Sequence, residues 1–340
     1  MTRPQVVVAT SRAPAPRHRL AENQPERRRE LILGRLCAAG AAVDLSEVQG
    51  DDAVLERLVS LGCVSADKLD FLRSAHAAWR AAPSPESDFA STETAEGDGL
   101  VPNFFVKERP RRSDPWARRL AWHATDVFTP IYGDLIETLA DDAASCVRAV
   151  DFALEGHDVY VPCAHPGHHA SADLFGGYCF VNNAVHVFRL AQRRGLTPFV
   201  VDVDYHAGDG TASFLDASEF VSLHARHDYP YVPADAPWGV VLPPGADFDA
   251  VYAPALRAAL DRRPPTCDVL IVSLGFDTLA DDPCAAEGHR MALVPGDFAR
   301  MRNILRETRI PLIVVQEGGY HLPQIPDAAA AFWVGTPQAQ

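Results

Sequence analysis

The sequence predicts an α/β protein built on a mostly parallel β-sheet with helices on both faces. Three observations lead there. From about residue 130 onward, short continuous apolar runs alternate with helical stretches, the pattern of strands buried on both faces. The runs are rich in β-branched residues and bounded by proline, glycine or polar residues. Each gives way abruptly to polar and small residues, as at the carboxyl ends of parallel strands, where such sheets collect ligands.

In chain order, the first hundred residues are mainly helical in pattern. PERRRELILGRLCAAG opens on a proline suited to a first helical turn, carries apolar residues at helical spacing and stops at Gly40. SADKLDFLRSAHAAWRAA reads as a second helix with a serine or aspartate cap. PSPESDFASTETAEGDG then breaks the pattern, so residues 81–102 are expected to be a surface loop. GDLIETLADDAASCVRAVDFALEG is a long helix leading to the short strand DVYVPCA. A further helix through YCFVNNAVHVFRLAQRRG precedes the strand PFVVDVD, and EFVSLHA, CDVLIVSLG and IPLIVVQEGG repeat the strand form. No internal repeat or linker interrupts the chain, so residues 1–340 are expected to form a single domain.

The 340 residues suffice to bury a sizeable core. A formal net charge of −14 argues against a nucleic-acid surface and admits a cationic ligand. Seven cysteines (37, 63, 146, 163, 179, 267 and 284) are scattered and never spaced as CxxC, which fits a reducing compartment. The N-terminus has no apolar stretch of signal-peptide length, and no run approaches a membrane span. A cytoplasmic location is therefore expected.

Four strand ends carry the chemistry. VPCA runs into HPGHHA (His165 to Ala170), FVVDV into Asp204-Tyr-His206-Ala-Gly-Asp209, VLIVSLG into Phe276-Asp277, and LIVVQ into Glu317-Gly-Gly-Tyr320. Eight of the thirteen histidines fall between positions 157 and 227. Adjacent side chains diverge on a strand or helix, but the Pro-Gly turn before His168 and His169 can aim both into one cleft; a solvated loop is the plain alternative. Asp202, Asp204 and His206 alternate, so a continuing strand would put them on one face. An Asp and a His two apart can grip one divalent cation, with a third ligand from another strand. Turn-capping aspartates beside a hydrogen-bonded histidine are the other reading, although carboxylates buried without a cation are costly. Asp277 is the natural third ligand and equally a helix cap, whereas Asp281 and Asp282, before Pro283, read as turn residues. The Tyr320 phenol, after two glycines that allow close backbone approach, either donates to a developing oxyanion or simply packs.

In order and spacing these clusters resemble the zinc-dependent deacylase family of histone deacetylases and acetylpolyamine amidohydrolases. HPGHHA resembles that family's PPGHHA, GGYCFVNNA its GGYCFxNNA, VDVDYHAGDGT its DxDxHHGNGT, VSLGFDTLADDP its SxGFDxxxxDP and QEGGY its EGGY. NQPERRRELI is similar to its first helix. Bacterial acetylpolyamine amidohydrolases look nearest, through DLFGGYCFVNNA and FLRSAHAAW. The resemblance implies the arginase–deacetylase fold and a hydrolase that removes an acetyl or other short acyl group from an N-acylated amine such as an acetylpolyamine, using water activated on a metal.

Carried over residue by residue, it makes Asp204, His206 and Asp277 the Zn²⁺ ligands; Fe²⁺ or Co²⁺ would also suit so oxygen-rich a site. His168 and His169 become the catalytic pair, Asp202 and Asp209 the carboxylates that orient and charge-tune them, and Tyr320 the oxyanion donor. His169 is the proton carrier and His168 the electrostatic support. Asp202 and Ser222, with nearby backbone carbonyls, resemble a structural K⁺ site, and Gly177 and Tyr178 match tunnel-lining positions. The implied partner is a small acylated amine, cationic if a polyamine, with no nucleic acid and no membrane; a homodimer is an open option. Acetyl-lysine protein and N-acetylated biosynthetic intermediates are the alternative substrates.

The chain departs from the family at several points. Ala207 stands where the second histidine of HHGNG is usual, and His165 where RPP is. The stretch after Ser222, LHARHDYPYVPADAPWGVVLPPGADFD, is shorter than the family's glycine-rich loop and lacks its pattern. Tyr229, Tyr231 and Trp238 are the candidates for a second aromatic tunnel wall. SRAPAPRHRLAENQ is too short for the insertion that narrows the site in some polyamine-specific members. Rival readings are an arginase-type ureohydrolase, whose motifs are incomplete here, an inactive binding protein, and a Cys-His hydrolase using Cys163 or Cys179.

Overall fold

A computed structural model of the protein describes residues 3–9, 25–44, 50–82, 89–90, 97–226 and 228–335. Among these the strands form one eight-stranded sheet in which every pair is parallel. They are β1 (Gln5–Val8), β2 (Val43–Asp44), β3 (Asp158–Val161), β4 (Pro198–Asp202), β5 (Phe220–Ala225), β6 (Gly239–Leu242), β7 (Val269–Leu274) and β8 (Leu312–Gln316), in the order β2-β1-β3-β8-β7-β4-β5-β6. The expected parallel α/β architecture is present.

Side-chain alternation along the strands feeds two apolar layers. Val159, Val161, Val200, Ile271 and Ile313 join one, packed by α5 (Leu135–Leu154) and α6 (Asn183–Arg193), with α2 (Asp52–Ser60), α3 (Ala66–Arg80) and α4 (Trp116–His123) completing it. Tyr160, Val201, Leu270, Val272 and Val314 face the other, covered by α1 (Pro25–Ala38), α7 (Ala253–Leu260), α8 (Pro295–Glu307) and α9 (Ile325–Trp333). Among the described residues no helix is long and apolar enough to cross a membrane.

Register matters most for the site. Val161 pairs with Val315, Val315 with Ser273, Ser273 with Asp202, and Asp202 with Ser222. One row thus crosses β3, β8, β7, β4 and β5, and the four polar clusters leave the sheet at the same level as neighbours.

Several elements differ from the sequence expectation. β4 ends at Asp202, so Asp204 and His206 stand on the loop beyond it. α6 starts at Asn183, because the Asn182 side chain caps it by accepting from Val185 N. β6 lies inside the stretch read as a loop after Ser222. Part of 81–102 is no surface loop: Phe89 is buried and Leu100 wholly so, bridging to Ile131 because apolar side chains there meet the layer beside α4. SRAPAPRHRLAENQ lies outside the described residues.

Candidate active site

The HPGHHA turn after β3 is held from three sides. Asp142 of α5 accepts from Ala164 N (2.9 Å) and His165 N (3.1 Å). Glu317, just past β8, accepts from Gly167 N (2.6 Å) and His168 N (3.0 Å). Asn183 Nδ2 donates to the His165 carbonyl (3.0 Å). Gly167 lies against the start of α6, where a Cβ would come 2.5 Å from Asn183 N, so only glycine allows the approach. The two imidazoles consequently stand with ring centroids 4.0 Å apart. They are 2% and 8% exposed, His169 being the more accessible.

Each histidine has its own carboxylate. His168 Nδ1 is 3.0 Å from Asp202 Oδ2, and His169 Nδ1 is 2.7 Å from Asp209 Oδ1. Burial opposes charge on both, but the outcomes differ. The carboxylates of Asp204 and Asp202 overcome it at His168, whose pKa rises well above the ordinary value. At His169 burial and the charge on His168 prevail, pushing it down to about 4 despite Asp209. The surroundings thus favour charge on one ring and disfavour it on its neighbour.

Beside them, ligand atoms of Asp204, His206 and Asp277 lie within 4.8 Å of one another. His206 Nδ1 is 3.3 Å from Asp204 Oδ1 and 3.0 Å from Asp277 Oδ2. Against its burial, hydrogen bonds to the two carboxylates raise His206 to about 10, while burial and the Asp204 charge raise Asp277 to about 7. A Cβ at Gly275 or Gly318 would collide with the carboxylate of Asp204, so these glycines form the cradle. One imidazole and two buried carboxylates fit a divalent metal.

Tyr320 closes the far side, 7% exposed. Its backbone N–H donates to Asp282 Oδ2 (2.6 Å), and Gly319 before it has φ +115° with Phe276 directly underneath. Burial raises the phenol well above its usual pKa, so it remains a donor. The guanidinium of Arg28, wholly buried, is 5.5 Å from the ring and donates to the Gly319 carbonyl (3.0 Å).

These groups open onto a cavity of about 410 Å³ lined by His168, His169, Asp204, His206, Gly177, Tyr178 and Tyr320. Gly177 and Tyr178 have φ +56° and +64°, and a Cβ at 177 would strike His169. Asp126 and Thr129 hold this turn through Gly177 N (2.5 Å) and Tyr178 N (2.9 Å). Of the three candidate aromatic walls, Tyr229 faces the cavity 4.9 Å from the His169 ring, and Tyr231 reaches it at 74% exposure. Trp238 instead stacks on Phe220 (5.6 Å).

Ser222 lies one strand over from Asp202, its Oγ beside Gly208 N (3.3 Å) and His224 Nδ1 (3.2 Å). Sequence reasoning missed Phe128, Arg28, Asp126 and Asp228, placed Glu317 in its strand-end cluster without a role, and read Asp282 as a turn residue although it anchors Tyr320. Cys163 and Cys179 are wholly buried with thiol pKa values well above the ordinary one, Cys163 through a hydrogen bond with Cys146 and burial, Cys179 through burial. Neither is a ready nucleophile.

The sequence matches the family model described as the histone deacetylase domain over residues 70–336. It is 29% identical over 336 residues to the acetylpolyamine amidohydrolase of Burkholderia pseudomallei, covering 94% of this chain and 92% of the relative. Acetylpolyamine amidohydrolase 2 of Pseudomonas aeruginosa is 30% identical over 302 residues, covering 81% and 86%. The crystal structure of acetylpolyamine aminohydrolase from Burkholderia pseudomallei superimposes with TM-score 0.77 at 25% identity, covering 97% of this chain and 98% of that one.

Proposed function

Since the chain belongs to the histone deacetylase family, we propose that it is a metal-dependent amidohydrolase that removes an acetyl or other short acyl group from an N-acylated amine, an acetylpolyamine first among candidates. The observation that carries this reading is the meeting, around one cavity, of a carboxylate-paired histidine couple, an Asp-His-Asp metal set and a buried tyrosine. Asp204, His206 and Asp277 would hold the cation, Zn²⁺ foremost, with Fe²⁺ or Co²⁺ as substitutes. A divalent cation there supplies Lewis acidity, lowering the pKa of water and polarising an acyl carbonyl.

The chain's own groups do the rest. With Nδ1–H of His169 committed to Asp209, Nε2 is the free acceptor that takes the proton of the attacking water. His168, kept cationic by Asp202 and Asp204, stabilises the negative charge that develops. Tyr320 Oη donates to the carbonyl oxygen as it becomes an oxyanion. His169 Nε2 then returns its proton to the amide nitrogen, the C–N bond breaks, and carboxylic acid and amine separate. The reading extends to a K⁺ held by Asp202 and Ser222 with neighbouring carbonyls, and to a cytoplasmic enzyme, in keeping with its free cysteines.

The test is a panel of acetylated polyamines, acetyl-lysine peptides and small acetylated amines, offered to protein loaded with Zn²⁺, Fe²⁺ or Co²⁺. Release of acetate from a polyamine ahead of the peptides is the expected result; no hydrolysis with any metal sinks the reading.

A further inference from the structure

Asp204 and His206 stand on a loop past the end of β4, where no ladder of strand hydrogen bonds fixes them. Between them lies Tyr205, wholly buried, and each of its polar atoms is engaged. Its N–H donates to Asp277 Oδ1 (3.0 Å), so it holds the third member of the metal set as well. Its carbonyl accepts from Ala225 N at the end of β5 (2.8 Å). Its ring packs edge-on against the His206 imidazole, with centroids 4.9 Å apart. One residue is thus joined to all three ligands, to two by peptide bonds and to the other by a hydrogen bond.

The phenol is tied in its turn. Tyr205 Oη donates to Asp228 Oδ2 (2.7 Å), with the His289 carbonyl a second and more distant acceptor (3.3 Å). Burial, and after it the hydrogen bond and charge of Asp228, raise this phenol above its usual pKa, so it stays a donor. Asp228 is half-buried and itself fixed: Oδ2 also accepts from Ala286 N (3.1 Å), and Oδ1 from Tyr229 N (2.7 Å). Burial works against its charge, but these hydrogen bonds, that of Tyr205 first, hold the carboxylate below its ordinary range. A phenol donating to an ionised carboxylate is the stronger kind of hydrogen bond. The contact joins three loops, those of the metal set, of Tyr229 and of Ala286.

We infer that Tyr205 is a positioning residue for the Asp204, His206 and Asp277 set and Asp228 its anchor, so that the hydrogen bond between them strengthens metal binding by pre-setting the ligand loop. The inference rests on the metal part of the amidohydrolase reading and on no particular substrate. A cation binds most tightly to ligands already in place, because a loop that must be ordered when the ion arrives weakens the affinity. Asp228 acts through Tyr205 and need not touch the ion.

Zn²⁺ affinity, measured by competition with a chelator of known affinity, tests this without turnover. Removing one hydroxyl in Tyr205→Phe raises the Kd about tenfold, the lower end of what partners behind metal ligands contribute. Asp228→Ala gives a rise of similar size, and the double variant is no weaker than the weaker single one, because both changes remove the same contact. Thermal unfolding of each metal-free protein is followed alongside, so that lost stability is not read as lost affinity. A lower metal-free Tm with Kd unchanged makes the bond a fold contact only and overturns the inference. Losses that add in the double variant overturn the anchoring, since Asp228 then acts by its charge across the cavity. Should Tyr205→Phe fail to fold, Asp228→Ala carries the test: a rise in Kd that persists at high salt supports the contact, and one that salt abolishes is a charge effect and rejects it. A wild type that binds no Zn²⁺ sinks the metal reading and this inference together, whereas equal Kd values across the set sink this inference alone.

Discussion

Tyr320 keeps its proton because burial holds its pKa high, and Asp282 fixes its backbone. Removing only the hydroxyl therefore removes an oxyanion donor and little else. Tyr320→Phe is expected to lower kcat by on the order of 10²–10³ with KM nearly unchanged; steady-state kinetics on the best substrate of the panel check it, and a variant as fast as wild type would leave the tyrosine a packing residue. The proposed chemical groups were legible at this scale because each follows an apolar run within a few residues. What escaped was whatever acts across the chain. Glu317 binds the Gly167 and His168 amides from 150 and 149 positions away, and Asp282 reaches Tyr320 from 38, separations that no local pattern encodes.

Helix α3 shows how an element is tied to the site it does not touch. Ser65 caps it by accepting from Lys68 N (3.1 Å), as the sequence suggested. Lys68, one turn in and fully buried, sends Nζ to the carbonyls of Ser171 (2.6 Å) and Leu174 (3.0 Å), at the far end of the tandem-histidine loop. Burial lowers this amine from 10.5 to about 7, and a neutral amine still has an N–H for each carbonyl. Between those two values the unfolded chain carries a proton that the fold lacks, so this group makes stability rise with pH across that window and contributes no slope below it. The slope is on the order of 1 kcal/mol per pH unit. Denaturant unfolding at pH 7, 8 and 9 should show wild type gaining on Lys68→Met at each step; parallel curves would mean the amine stays charged in the fold. Long helices and central strands were readable, whereas β1, β2 and β6 were not: β2 has two residues, and β6 follows a proline-rich run. Their pairing is decided by the neighbouring strand rather than by their own pattern.

Across the whole molecule, the sheet order brings β3, β8, β7 and β4 side by side. Strand ends were predictable, but adjacency was not, since chain order runs β3, β4, β7, β8. The consequence is a concentration of buried carboxylates, Asp202, Asp204, Asp277 and Glu317, at one edge of the core. Such crowding opposes folding unless a cation answers it. Binding to the native state alone adds RT ln(1 + [L]/Kd), about 4 kcal/mol at a thousandfold excess over Kd, which for a chain of this length is a rise in Tm of several degrees. Zn²⁺ should therefore raise Tm and a chelator reverse it. The ligands bind metal only when deprotonated, so the rise must shrink as pH falls from 8 toward 5.5. Asp277→Asn separates this from nonspecific binding, for it relieves repulsion in the metal-free protein, leaving Tm equal or higher there, yet removes a ligand and flattens the response to Zn²⁺. Calorimetric scans of the two proteins with and without metal decide the matter. If the variant kept the wild-type response, the cation would be held elsewhere than at Asp204, His206 and Asp277.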